Sequence, residues 1–306
     1  MNEQELLTLL EKAGITTANT QGLLNTEQSN AFIDTVIDQS NFLKTIRVEK
    51  NIGRARDLDN IGLGSRLLHK PIENEEPSDD KIRGILTGKR TLTPEEIMLP
   101  INISLRWLEE NIEKEAVENT ITQMAAKQVG NDLVDALFNC DTATNPADPD
   151  YDFLSMNDGI IKLLDSDPNK QYYSRASNTD WKDTVFPSVL DVLPDKYQDE
   201  KDLVFLVSRR VDSEYRRQLS DRVTALGDNY LVEKPNATYE GIPLIRIPKL
   251  PYGTVILTPL SNLAIGFGRE ISYYREFKPR ARRVEITITA KVDFNYILTE
   301  KIAYCK

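Results

Sequence analysis

Histidine occurs once in this chain, at His69 beside Lys70, so the commonest general base has a single candidate. A base works only with an orienting partner and a reacting group in reach, and a lone histidine in a polar stretch supplies neither. Cys140 and Cys305 lie far apart, form no CxxC pair, and are too few for a disulfide framework or a zinc knuckle, so they read as free thiols. Gly84-Ile-Leu-Thr-Gly88-Lys89-Arg90 has the look of a phosphate loop but is one residue short between its glycines. Arg90 also stands where a magnesium-binding Ser or Thr is required. Gly62-Leu-Gly64 and Gly266-Phe-Gly268 lack the third glycine of a dinucleotide fingerprint. Asp57-Leu-Asp59-Asn60-Ile61-Gly62 fails as a calcium loop, because Ile61 takes a liganding position and no acidic residue closes it. The acidic clusters at Glu73–Asp80, Glu109–Glu118 and Asp195–Glu200 read as solvated turns and helix faces. No catalytic, cofactor-binding or metal-binding residue is therefore expected, and no cofactor.

Charge and composition narrow the classes further. The chain is 40% hydrophobic and 28% charged, ordinary globular material with enough length for one or two domains. It has no run of apolar residues long enough to span a membrane, and Met1-Asn2-Glu3-Gln4-Glu5 is acidic where a secretion signal would be basic, so a soluble protein made in a cytoplasm is expected. A net charge of -10 argues against wrapping nucleic acid in Lys and Arg. Arg269, Arg275, Lys278, Arg280, Arg282 and Arg283 form the one basic concentration, near Tyr273, Tyr274 and Phe277. Pairing with acidic neighbours across a contact with another copy suits it better than meeting packaged nucleic acid, although both stay open.

The elements follow from periodicity. Glu3–Ala13 and Ala31–Ile46 are amphipathic and predict two short helices, too short to be stable without a partner surface. From Asn51 to Pro100 short apolar runs are punctuated by glycines around an acidic centre, which predicts a long two-stranded excursion. A limb of that kind makes sense mainly when it lies on another molecule. After Ser104, apolar residues recur at helical spacing to Asn139, predicting a helix of about 50 Å at ~1.5 Å per residue, with a break allowed near Glu113–Glu118. Helices are further predicted over Phe153–Asp165, Thr184–Leu193 and Val211–Leu226, and strands over Asp202–Ser208, Gly241–Pro248 and Thr254–Pro259. The cleanest alternation closes the chain. Val284, Ile286, Ile288, Ala290, Val292, Phe294 and Tyr296 share one face, and Glu285, Thr287, Thr289, Lys291, Asp293 and Asn295 the other.

This order of elements resembles the major capsid proteins of tailed double-stranded DNA bacteriophages. The sharpest match is Thr238-Tyr-Glu-Gly241-Ile-Pro243-Leu-Ile-Arg-Ile-Pro248, then Ile256-Leu-Thr258-Pro-Leu-Ser-Asn262-Leu-Ala-Ile265, then the closing strand. Leu99-Pro-Ile-Asn-Ile-Ser104 is similar to the strand that returns from the family's extended loop into its spine helix. The resemblance implies an α+β Hong Kong 97-type capsid fold: an N-terminal arm over 1–50, an extended loop over 51–100, a peripheral domain from 101–160 and 263–306, and an axial domain over 161–262. It implies a shell subunit that meets copies of itself in hexamers and pentamers, in a virion assembled in the host cytoplasm. Portal, scaffold and decoration proteins are further partners on this reading, packaged double-stranded DNA touches the shell loosely, and no membrane is involved. About fifty residues precede the loop, so scaffolding is expected to be separate or absent. Lys70, Lys81 and Lys89 lie in the loop, but nothing matches a cross-linking site.

Two rivals remain. An encapsulin-type bacterial nanocompartment shell shares the fold and would reveal itself by a co-purifying cargo. A cytoplasmic α+β enzyme would show activity as a monomer with a substrate-sized pocket.

Overall fold

The computed structural model describes residues 21–23, 26–63, 85–104, 106, 114–177, 180–220 and 237–306. The first strands are β1 (Gln21–Leu23), β2 (Arg47–Ile52), β3 (Arg56–Leu63), β4 (Ile85–Leu92) and β5 (Glu95–Ser104). The next are β6 (Gln171–Tyr173), β7 (Leu203–Val207), β8 (Thr238–Tyr239), β9 (Ile242–Arg246) and β10 (Val255–Pro259). The last are β11 (Leu263–Gly268), β12 (Ser272–Lys278), β13 (Arg283–Tyr296) and β14 (Ala303–Cys305). The helices are α1 (Thr26–Gln39), α2 (Lys114–Asn139), α3 (Tyr151–Leu154), α4 (Ile160–Ser166), α5 (Phe186–Val192), α6 (Asp195–Gln198) and α7 (Arg209–Ser220).

The alternation at the end of the chain organises the first sheet. β13 is 14 residues long, and its apolar positions point inward as the period-two pattern requires. One edge of β13 pairs antiparallel with the whole of β5. The register places Thr289 opposite both Ser272 and Met98, and Val292 opposite both Phe267 and Glu95. β12 and β11 therefore lie end to end along the other edge. β2 adds to β11 in parallel, and β1 to β12 antiparallel. Ile288, Ala290, Val292 and Phe294 share one core with Leu133, Val134 and Leu137 of α2 and with Ile33, Val36 and Ile37 of α1. At about 1.5 Å per residue, the 26 residues of α2 give a spine of about 39 Å.

The second sheet runs β6-β14-β10-β7-β9-β8. Every residue of β7 and β10 is buried. Alternate side chains serve different cores. Phe205, Val207, Val255 and Leu257 pack with Trp181, Phe186, Val189 and Tyr215, whereas Val204, Leu206 and Ile256 join the core of the first sheet. A strand covered on both faces has no polar side to alternate with, which is why Leu203–Val207 reads as an unbroken apolar run.

Several expected boundaries move, and local polar chemistry moves them. The helix expected over 31–46 runs Thr26–Gln39. There the Ser40 hydroxyl accepts from the Leu43 N–H at 3.4 Å and the chain turns, so Leu43 and Ile46 enter the core from a turn. The stretch expected as an arm thus supplies α1 to the spine and β2 to the first sheet. The helix expected over 153–165 splits into α3 and α4. Between them Asn157 is buried and donates to the Val292 carbonyl at 2.6 Å, and the Gly159 N–H donates to the Cys140 carbonyl at 2.7 Å. A π-helical turn, Trp181–Val185, precedes α5 where one helix was expected from Thr184. The helix expected over 211–226 begins earlier, at Arg209, and its last residues, like the Glu3–Ala13 helix, lie outside the described residues. The closing strand Ala303–Cys305, expected with the peripheral elements, instead pairs with β10 and β6 in the second sheet.

Gly159 has ordinary helical-start backbone angles, so its need is for space: an added Cβ would lie 2.8 Å from the Phe138 carbonyl carbon and oxygen. Those atoms belong to the end of the spine and cannot yield as a side-chain tip would. Gly159→Ala is expected to cost about 1–3 kcal/mol by overpacking, read as a lowered thermal midpoint of the isolated chain. An unchanged midpoint would show that the joint between α2 and α4 is plastic.

Candidate functional site

The long two-stranded excursion is present as an antiparallel hairpin, β3 with β4, in register from Arg56↔Leu92 to Leu63↔Ile85. His69, Lys70, Lys81 and the Glu73–Asp80 cluster lie outside the described residues. Its root, where β4 turns into β5 at Thr93-Pro94, has more polar chemistry than any sequence motif indicated.

The ladder between β5 and β13 ends at Glu95↔Val292. Pro94 has no N–H to extend it, and beyond that point side chains take over. The Thr93 N–H donates to Asp293 Oδ2 at 2.6 Å, and Asn295 Nδ2 donates to the Thr91 carbonyl at 3.1 Å. The Arg90 guanidinium ion-pairs with Asp167, donates to the Tyr296 hydroxyl at 3.0 Å and to Thr299 Oγ1 at 2.8 Å, and lies 4.4 Å from the centre of the Tyr296 ring. The Tyr296 and Thr299 hydroxyls also donate to Asp167 Oδ2, each at 2.8 Å. On the other strand, Glu49 pairs with Arg47 at 2.7 Å and with Arg56 at 2.9 Å, and Lys89 bridges to Asp57 at 2.7 Å.

An apolar pad lies beneath this polar set. Ile52, Leu58, Leu92 and Ala264 are buried together with Ile297 against them. Gly266 makes the room, since a Cβ there would meet Ile52 Cδ1 at 2.7 Å and Leu92 Cδ1 at 3.0 Å. Gly266, from one of the pairs that fail as a nucleotide fingerprint, thus admits the hairpin root to the sheet, and Arg90, the misfit of the phosphate loop, is its tether.

The two aspartates are tuned in opposite directions. Burial works against the charge on Asp167, but the Asn169 N–H, the Tyr296 and Thr299 hydroxyls and Arg90 outweigh it and hold the carboxyl down to about 2. Burial pushes Asp293 up to about 6; the charges of Glu95 and Asp158 add to this, against the Thr93 and Phe294 N–H groups. An unfolded aspartate titrates near 3.9. Asp167 therefore contributes stability above that value that is lost as pH falls toward 2, whereas Asp293 holds its proton in the fold and costs stability as pH rises from about 4 to 6.

Elsewhere the singled-out residues serve structure. Burial pushes the Cys140 thiol up to about 12 and the Cys305 thiol up to about 11, away from any nucleophilic role. Within the basic concentration, Lys278 pairs with Glu285 at 2.5 Å and Arg283 with Glu285 at 2.5 Å, so acidic neighbours of the same chain take up these charges. Lys301 pairs with Glu200 of the third acidic cluster at 2.5 Å. Among the described residues no group of His, Cys, Asp and Glu is placed to hold a metal ion, and no helix is long and apolar enough to cross a membrane.

Thermal unfolding of the chain measured across pH 2–7 tests the opposed aspartates. The wild-type minus Asp293→Asn difference in midpoint is expected to fall as pH rises from 4 to 6. The difference for Asp167→Asn is expected to vanish as pH approaches 2. Flat difference curves would mean that neither carboxyl is tuned as its partners require.

No family model matches the chain. It is 28% identical over 306 residues to a Bacillus subtilis (strain 168) protein named as a prophage capsid protein, YqbE, covering 96% of this chain and 94% of that one. Among solved structures, a chain of the satellite phage P4 procapsid that includes the size determination protein matches with a TM-score of 0.69 at 13% identity, covering 100% of this chain and 98% of that one. The capsid of the native GTA particle matches with a TM-score of 0.57 at 13% identity, covering 95% of this chain and 93% of that one. Both likenesses run over nearly the whole of each chain, and the chain has the Hong Kong 97-type fold that these capsid structures share.

Proposed function

We propose that this chain is the major capsid protein of a tailed phage, self-assembling into the icosahedral shell that encloses the double-stranded DNA genome. The observation that carries the reading is the full-length match to a prophage capsid protein, with nearly complete coverage of both chains. It is reinforced by a hairpin that a lone subunit has no use for.

On this reading the protein works by geometry and carries no enzymatic activity. The hairpin lies over neighbouring copies, the first sheet with the spine and α1 forms the peripheral domain, and the second sheet with α5 and α7 forms the axial domain around the fivefold and sixfold positions. The last strand, Ala303–Cys305, belongs with the axial sheet and ties the two domains together. Met98 at 64% exposure and Phe277 at 49% stand out from the first sheet, and such apolar side chains are suited to burial between copies. Each contact is modest, and closure of the lattice multiplies it. The acidic balance suits a lining that does not hold DNA tightly, so the packaged genome meets it loosely.

Expression of the chain alone, followed by electron microscopy and sedimentation, tests this. Closed shells, or rings the size of hexamers and pentamers, are the expected products. A stable compact monomer under all assembly conditions, with or without a scaffold protein, would overturn the reading. Shells that retain a single co-purifying enzyme would turn it toward a nanocompartment.

A further inference from the structure

Resting on the shell-subunit reading, we infer that Asp167, Asp293 and Asn295 are positioning residues: they fix the angle at which the hairpin leaves the body, and so the curvature with which copies meet.

Three contacts made by separate residues converge on Arg90–Thr93. Asp167, with Tyr296 and Thr299, holds the Arg90 guanidinium; Asn295 holds the Thr91 carbonyl at 3.1 Å; Asp293 holds the Thr93 N–H at 2.6 Å. They act where the backbone ladder has stopped, at Glu95↔Val292, so the direction of β4 from this point is set by side chains. Hydrogen bonds are directional, and three of them along one strand define an angle. The apolar pad of Ile52, Leu58 and Leu92 beneath is not directional and would tolerate rocking. Thr91 and Thr93 are held by polar contacts alone, and of the residues that hold this segment only Tyr296 belongs to the large core. The holding contacts come from three places: Asp167 just after α4, the last four residues of β13, the strand on which the first sheet is built, and Thr299 in the turn that follows it. The hairpin is thereby referenced to the rigid part of the subunit. A limb that reaches over a neighbour turns a small angular error at its root into a displacement at its tip, and a closed lattice repeats that displacement at every subunit.

The test compares wild type with Asn295→Ala, Arg90→Met and the double variant, by amide hydrogen exchange on the assembled particles and by electron microscopy of their size. In the double variant the Thr93 amide is expected to exchange about tenfold faster or more, while amides in the middle of β13 keep their wild-type rates. Its particles are expected to spread in diameter or form open and tubular sheets. Arg90→Lys, which keeps the charge but loses the planar group that lies over the Tyr296 ring, is expected to fall between. Shells of a single wild-type diameter from the double variant would overturn the inference. So would equally faster exchange throughout β13, which would make these residues props of the fold instead of its protractor. If the double variant does not fold, Asn295→Ala alone, which leaves the Arg90 cluster in place, is judged by the same two measures. Failure of the wild-type chain to form shells strikes the proposed function itself; uniform shells from both wild type and variant strike only this inference.

Discussion

The constraint on which the structure depends is that β13 is committed along both of its edges. With β5 on one side and β12 followed by β11 on the other, its register cannot slip without moving the whole first sheet. A one-residue slip would turn Val292 and Phe294 outward and drive Asp293 and Asn295 into the core, an exchange of buried apolar area for buried carboxylate and amide. The spine helix can then pack on a surface whose pattern is fixed. The hairpin inherits the same certainty, because its root is held by residues at the end of that strand.

Charge is used inside the chain in the same economical way. An acidic protein with few basic residues to spare places many of them in intramolecular pairs: Arg90 with Asp167, Arg246 with Asp212 at 2.5 Å, Lys249 with Asp135 at 2.7 Å, Lys278 and Arg283 with Glu285. Asp212 is almost wholly buried and bonds to both Arg216 and Arg246, tying α7 to β9 beside the second core. Pairs of this kind add little net stability where they are exposed, but they fix which elements face each other. Because each pair cancels one charge of each sign, the chain's net charge of -10 is left uncompensated by them.

Much of this was legible in the sequence, and what was not has a common cause. β13, the two-sided strands and the spine are regular, so the period of two, the unbroken apolar run and the period of 3.6 reveal them. The hairpin was legible by contrast, as fifty residues without a core of their own. Helix ends were misjudged where a single polar group captured the backbone: Ser40 cut α1 short although Leu43 and Ile46 keep the apolar spacing, and Asn157 with Gly159 split the next helix. The root cluster was illegible because Arg90 lies 77 to 209 residues from its partners Asp167, Tyr296 and Thr299, and none is unusual in type. Two signals could have pointed to it. Arg90 was the residue that spoiled the phosphate loop, and Asp293 was a carboxylate on a strand end otherwise rich in apolar and amide groups.

The division of labour at the hairpin root follows from what each kind of interaction can specify. Apolar burial rewards contact regardless of direction, so Ile52, Leu58 and Leu92 over Gly266 hold the hairpin to the sheet without setting how it lies. An ion pair taken out of water roughly cancels its own gain, so the Arg90–Asp167 cluster is poorly explained as adhesive. Its worth lies in geometry: a planar guanidinium is fixed by two hydroxyls and a carboxylate over a ring, while a second carboxylate and an amide hold the backbone on either side. A monomeric protein would gain little from specifying that angle. A subunit that must meet many identical neighbours gains closure from it, because symmetry multiplies every error as faithfully as it multiplies every contact.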